Sequence, residues 1–179
     1  MMSDASPDLI LIGLRACGKS TIGRLVAQRL GVGFVDLDDV TSELLESSGA
    51  GEAIETHGIE AFRKAEGRAL GSVLKGTGRV IALGGGTPTA DGCATMLKSD
   101  ACRVVYLRAL TETLRERLKN TDNVDRPALV VEDVVDEVET LFERRDGLYR
   151  ELAESVIHVD GISEESVLEA VLAVVKAGV

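Results

Sequence analysis

The stretch Gly13-Leu14-Arg15-Ala16-Cys17-Gly18-Lys19-Ser20 sets two glycines ahead of a lysine and a hydroxyl. It fits G-x-x-x-x-G-K-[ST], the pattern of a loop that cradles phosphate. The glycines let the backbone fold tightly, so that successive N–H groups point at one anion. A helix starting at Lys19 adds its positive N-terminal end. Lys19 is expected to reach the β- and γ-phosphates of a nucleotide, and the Ser20 hydroxyl to ligate Mg²⁺. Gly13, Ala16, Cys17, Gly18 and Thr21 complete the expected nucleotide contacts. The blander alternative is a glycine-rich turn with a surface lysine. It does not account for the position of the pattern, between a strand-like apolar run and a helix-periodic segment. Cys17 reads as a small residue facing the core and is given no catalytic role.

Further along stands Asp36-Leu37-Asp38, just past a second apolar run. In open α/β sheets ligands bind beyond the carboxyl ends of the strands. Phosphoryl transfer to a hydroxyl needs an acidic oxygen to orient the acceptor, and a carboxylate near the metal helps. The competing reading is that Asp38 or Asp39 caps the next helix. Arg63 lies three residues from both Glu60 and Glu66 on one predicted helix face. It is either a surface ion pair or an arginine held by Glu66 to grip a carboxylate with two prongs. Spacing leaves both open. Gly84-Gly85-Gly86 offers bare backbone to a ligand, or else a flexible turn. Arg126-Pro127 sits in a segment of turn formers and suits a lid that brings charge to the transferring group. Arg150 follows Tyr149 near a helix end. It offers a second cation for an anionic acceptor, or simply favours that helix terminus.

The elements that must position these residues follow from periodicity. Strands are expected at Leu9–Ile12, Val32–Leu37, Arg79–Leu83, Cys102–Leu107 and Val156–Val159. Helices are expected at Lys19–Leu30, Asp38–Glu46, Asp91–Lys98, Thr111–Lys119, Val131–Ala153 and Ser163–Lys176, with two more within Glu52–Leu74 broken near Gly58. Short buried strands alternating with helices imply an α/β fold, a parallel sheet covered on both faces. No repeat, linker or low-complexity tract interrupts the chain, so residues 1–179 read as one domain.

Composition narrows the function. The 179 residues carry a net charge of −10, with 3% aromatic residues and no tryptophan. That disfavours a nucleic-acid surface, whether basic or built on stacking platforms. No apolar run approaches the roughly 20 residues of a bilayer span, and the first residues lack the plan of a signal peptide. Three cysteines without metal spacing suit a reducing compartment, so the cytoplasm is the expected location.

Taken in order, the motifs resemble those of the shikimate kinase family. The matching residues are Gly13–Thr21, Asp36 and Asp38, Phe62-Arg63, Gly84–Gly86, Arg126-Pro127 and Tyr149-Arg150. The resemblance spans about residues 9–159. It implies a three-layer P-loop fold with a five-stranded parallel sheet in order 2-3-1-4-5 and helices on both faces. A substrate-binding helical segment is implied at about 38–74, and a lid at about 119–129. The implied reaction is transfer of the γ-phosphate of ATP to the 3-hydroxyl of shikimate, with Mg²⁺, by a monomer. Carried over by residue, Lys19 and Arg126 serve the phosphates, Ser20 and Asp36 the metal, and Asp38 the shikimate hydroxyls as candidate base. Arg63 and Arg150 bind the shikimate carboxylate, and Gly84, Gly85 and Gly86 line its pocket. Lys119 is taken as the adenine contact, with Arg117 the neighbouring candidate. Two alternatives stand beside this reading. A gluconate kinase would act on an acceptor that does not demand both Arg63 and Arg150. A non-catalytic nucleotide-binding regulator would have lost Lys19, Asp38 or Arg126, and all three are present.

Overall fold

The computed structural model describes residues 7–120 and 134–177, with side chains in the second span from residue 137. Arg126 and most of the expected lid lie outside the described residues. The chain alternates strands and helices: β1 (Asp8–Ile12), α1 (Lys19–Leu30), β2 (Phe34–Asp36), α2 (Leu37–Leu44), α3 (Ala50–His57), α4 (Ile59–Val73) and β3 (Val80–Ala82). Then follow a 3-10 turn (Thr87–Thr89), α5 (Cys93–Leu97), β4 (Cys102–Arg108), α6 (Thr111–Lys119), α7 (Val134–Leu152), β5 (Ser155–His158) and α8 (Glu164–Ala177). The strands form one parallel sheet in the order β2-β3-β1-β4-β5, as the resemblance implied.

β1 lies at the centre because every one of its residues is apolar or paired. Leu9 to Ile12 are almost fully buried, and Asp8, also buried, receives hydrogen bonds from the Arg79 backbone N–H (2.8 Å) and guanidinium (2.9 Å). A strand covered by helices on both faces reads as a continuous apolar run rather than an alternating one. The main core gathers β1, β3 and β4 with apolar residues of α1, α7 and α8. A smaller cluster of Ala50, Ala53 and Phe62 holds α3 against α4.

Two expected boundaries move for a physical reason. The expected strand Val32–Leu37 contracts to Phe34–Asp36, and Leu37 becomes the first helical residue. The Asp36 side chain caps α2 by accepting from Asp38 N–H (3.2 Å), so the cap is Asp36 and not Asp38 or Asp39. The break near Gly58 is confirmed. Gly58 adopts φ 81°, a value that a side chain rarely tolerates, and so separates α3 from α4.

Candidate active site

The phosphate loop runs from the end of β1 into α1. Gly18, at φ 102°, is the N-cap of α1, and Ala16 takes the left-handed φ of 67° that is uncommon for a residue with a Cβ. Backbone strain of this kind concentrates at ligand sites. Lys19 is 8% exposed, and its Nζ donates to the Leu14 carbonyl at 2.9 Å, folding the amine back over the loop. Ser20 Oγ donates to Asp36 Oδ2 at 2.6 Å. One cleft is lined by Arg15, Ala16, Gly18, Lys19, Ser20, Thr21, Asp38, Leu83 and Gly85. Of the expected nucleotide contacts, Ala16, Gly18, Lys19, Ser20 and Thr21 therefore share one space with Asp38, while Gly13 and Cys17 are not among its walls.

A hydroxyl and a carboxylate side by side at the rim of this cleft form the hard oxygen donor set that Mg²⁺ prefers, so the residues fit that ion. Among the described residues no cluster of three or more His, Cys, Asp or Glu forms a cage for a metal.

A second pocket adjoins the cleft. Its walls come from the phosphate loop (Leu14, Arg15), from α3 and α4 (Ile54, Phe62, Arg63), from Gly85 and Gly86, and from α6 and α7, including Leu118, Val138, Leu141 and Arg145. Arg15 and Gly85 line both spaces, so the two pockets meet across one wall. Arg63 donates through Nη1 to Glu66 Oε2 in a very short bond, and Glu66 is fully buried. Glu66 Oε1 also accepts from Thr87 Oγ1 at 2.6 Å. Of the two accounts of Arg63, the surface ion pair is excluded, because its carboxylate partner is only 1% exposed. Thr87 is thus the second anchor of that carboxylate.

Charged side chains approach two of the three glycines closely. A Cβ on Gly84 would stand 2.4 Å from Asp38 Oδ1 and 2.7 Å from Glu66 Oε1. A Cβ on Gly86 would stand 2.0 Å from Arg63 Nη2. A Cβ at either position would force the ends of the Asp38, Glu66 or Arg63 side chains to move, so the glycines leave these charged groups where they stand.

Arg150 is not among the walls of the pocket that Arg63 lines. It is half exposed, and its Nε donates to Asp146 Oδ2 one turn back on α7 (2.8 Å). The arginine that shares the pocket with Arg63 is Arg145, whose Nη1 donates to the Gly85 carbonyl at 2.8 Å. The two residues are five positions apart, roughly 140° around a helix, so they face different ways. Helix phase held the missing signal. Val138, Leu141 and Arg145 all line the pocket and recur at helical spacing along one stripe, and Arg150 falls outside it.

Lys119 is likewise displaced by its neighbour. It is exposed and absent from the walls of the third space, which lies behind the phosphate loop. That space is lined by Ala16, Cys17, Gly18, Thr21, Arg117, Asn120, Val159, Ile162 and others. Arg117 Nη1 donates to the Ala16 carbonyl at 3.2 Å, which ties α6 to the loop. A planar guanidinium is better suited to stack on a flat base than an ammonium.

A parallel sheet with a phosphate loop at the end of its first strand, and a cationic acceptor pocket next door, defines a P-loop phosphotransferase acting on a small molecule. Comparison with known proteins narrows the class. The family model for shikimate kinase matches residues 15–176. A shikimate kinase of Marinomonas sp. is 37% identical, over 96% of this chain and 93% of that protein. Among solved structures, the shikimate kinase of Acinetobacter baumannii in complex with shikimate superposes with a TM-score of 0.87 at 28% identity, over 97% of this chain and 94% of that one. A gluconokinase from Sinorhizobium meliloti reaches a TM-score of 0.62 at 13% identity, a likeness of fold alone. The chain belongs to the shikimate kinase family, and it is an ATP-dependent small-molecule kinase.

Proposed function

We propose that this chain transfers the γ-phosphoryl group of ATP to the 3-hydroxyl of shikimate. The observation that carries this reading is the shared wall. A phosphate cleft and a pocket bearing Arg63 and Arg145 meet at Arg15 and Gly85. A ring acid whose carboxylate lies between two guanidinium groups has one end fixed, and its hydroxyls then extend toward the cleft that holds Asp38. Gluconate carries a carboxylate as well, so the choice between the two acceptors rests on the family match and not on the cation pair.

In this reading the loop amides and Lys19 bind the triphosphate, and Arg117 contacts the base. Arg126 adds charge over the transferring group. Mg²⁺, held by Ser20 with Asp36 behind it, would screen the phosphate oxygens when bound. Asp38 Oδ1 is a buried oxygen at the wall of the phosphate cleft, which suits a group that orients the acceptor hydroxyl and accepts its proton. Glu66 and Thr87 fix Arg63, so that little rotamer freedom is lost when the acceptor binds. In this reading a monomer is the working unit. No helix of the described residues is long and apolar enough to cross a membrane, and a cytoplasmic enzyme is the reading consistent with its two small soluble substrates.

A coupled ADP-release assay with shikimate, gluconate and nucleoside monophosphates side by side tests the proposal. Turnover with shikimate at least tenfold above the others is expected. Equal or greater turnover with gluconate would overturn it.

A further inference from the structure

Thr87 N–H bonds to the Gly84 carbonyl at 3.1 Å, so Gly84–Thr87 is a β-turn with Gly85 and Gly86 at its centre. Gly86 sits at φ −107° and ψ −12°, the values of a type I turn, and Gly85 also avoids positive φ. A type II turn needs the third residue near φ +80°. Glycine adopts either sign at little steric cost, so two central glycines leave both turns open. The two differ by a flip of one peptide, Gly85–Gly86. Something outside the turn must therefore choose its orientation.

That choice is made from α7. The Gly85 carbonyl accepts a very short hydrogen bond from the Tyr149 hydroxyl and a second from Arg145 Nη1 at 2.8 Å. A trans peptide is planar, so its C=O and the next N–H point in opposite directions. Holding the Gly85 oxygen toward α7 therefore holds the Gly86 N–H away from it, on a residue that lines the acceptor pocket. Arg145 also lines that pocket and depends on the same oxygen for one of its bonds. Of the two donors, only Tyr149 is fixed independently of the pocket. It is fully buried, and its ring packs edge-to-face on Tyr106, centroids 5.2 Å apart at 78°. Tyr106 is in turn anchored by donating to Asp146 at 2.8 Å.

We propose that Tyr149 is a positioning residue of the acceptor site: its hydroxyl selects the orientation of the Gly85–Gly86 peptide and sets Arg145 against the acceptor carboxylate. Burial pushes the Tyr149 hydroxyl up to about 12, although the Arg145 charge works the other way, so it remains a donor across the physiological range. The consequence for catalysis rests on the acceptor assignment above; the consequence for the turn does not.

Tyr149→Phe keeps the ring and removes only the donor. The variant is expected to raise KM for shikimate about tenfold, to leave KM for ATP within twofold, and to shift the Gly86 amide resonance of the substrate-free protein. Tyr106→Phe is the control: it removes a buried hydroxyl from the same ring pair but touches neither Gly85 nor Arg145. It is expected to lower Tm and to move KM for shikimate clearly less than Tyr149→Phe does, because the ring that packs on Tyr149 remains. An unmoved Gly86 amide in Tyr149→Phe overturns the proposal whatever the substrate proves to be. So does an equal loss in both KM values, or a shift in KM for shikimate in Tyr106→Phe as large as that in Tyr149→Phe. If Tyr149→Phe does not fold, 4-fluorophenylalanine at 149 keeps the bulk without a donor, and the same two readings apply. Absence of shikimate turnover in the parent enzyme would count against the reaction, while the amide shift would still decide the turn.

Discussion

Glu66 receives Arg63 on one oxygen and Thr87 on the other, with no solvent to replace either. A buried carboxylate that loses a partner carries a penalty larger than the bond itself is worth. Arg63→Ala should therefore cost both acceptor binding and stability, which makes it a poor diagnostic. Arg145 gives the cleaner test. Arg145→Ala should raise KM for shikimate about 10- to 100-fold, the range expected for a charge-assisted hydrogen bond, with KM for ATP little changed. Arg150→Ala should leave both KM values within about twofold, since that side chain is half exposed on another face. Steady-state kinetics of the pair checks both, and a large effect at Arg150 would return it to the site. Asp38→Asn should lower kcat by about 10²-fold or more while nucleotide still binds, as measured by calorimetry beside the turnover assay.

At the scale of the element, α7 joins two tasks on two faces. One face presents Val138, Leu141, Arg145 and Tyr149 to the pocket and the glycine turn. The next carries Asp146, which accepts from Tyr106 (2.8 Å), Arg108 (2.8 Å) and Arg150 (2.8 Å) and so clamps the helix onto β4. Burial alone would raise the Asp146 carboxyl, but hydrogen bonds from Arg108, Arg150 and Tyr106 outweigh it and hold it below the usual carboxylate range. A carboxyl depressed in the folded state adds stability above its unfolded value, and that increment fades as pH falls through the folded one. Asp146→Asn should therefore cost about 2 kcal/mol near neutrality, and the gap from the parent should close below about pH 4. Denaturant melts at several pH values measure it.

The same helix shows what periodicity conveys and what it omits. α1 and α6 start and stop where apolar spacing and flanking residues place them, at Lys19–Leu30 and Thr111–Lys119. The phosphate loop was legible because its chemistry is local, carried by consecutive amides. Arg145 is not, because choosing among the three arginines of α7 requires knowing which stripe faces the phosphate loop and the glycine turn. The sequence places Asp36 on the metal side. Its second task, capping α2, emerged only when Leu37 proved to be helical and not the last residue of a strand.

For the whole molecule, the two ends of the sheet have different duties. The carboxyl ends of the strands hold the phosphate loop, Asp36 and the approach to the glycine turn. At the opposite end Asp8 and Arg79 pair across β1 and β3, with Asp8 2% exposed. Asp8→Asn should cost about 3 kcal/mol of stability, because it strands a partly buried guanidinium. Both KM values and kcat should stay near those of the parent below the melting temperature. Thermal denaturation run beside the kinetic assay separates the two.

The common partition at Arg15 and Gly85 leaves the substrates no independence from each other. Whatever occupies one compartment presses on atoms that the other compartment uses, and thermodynamic reciprocity makes the influence mutual and equal. An inert analogue of either substrate should therefore change the Kd of its counterpart. A compound tethering a carboxylated ring to a nucleotide across that partition should exceed the affinity of both halves, because the entropy of association is spent only once.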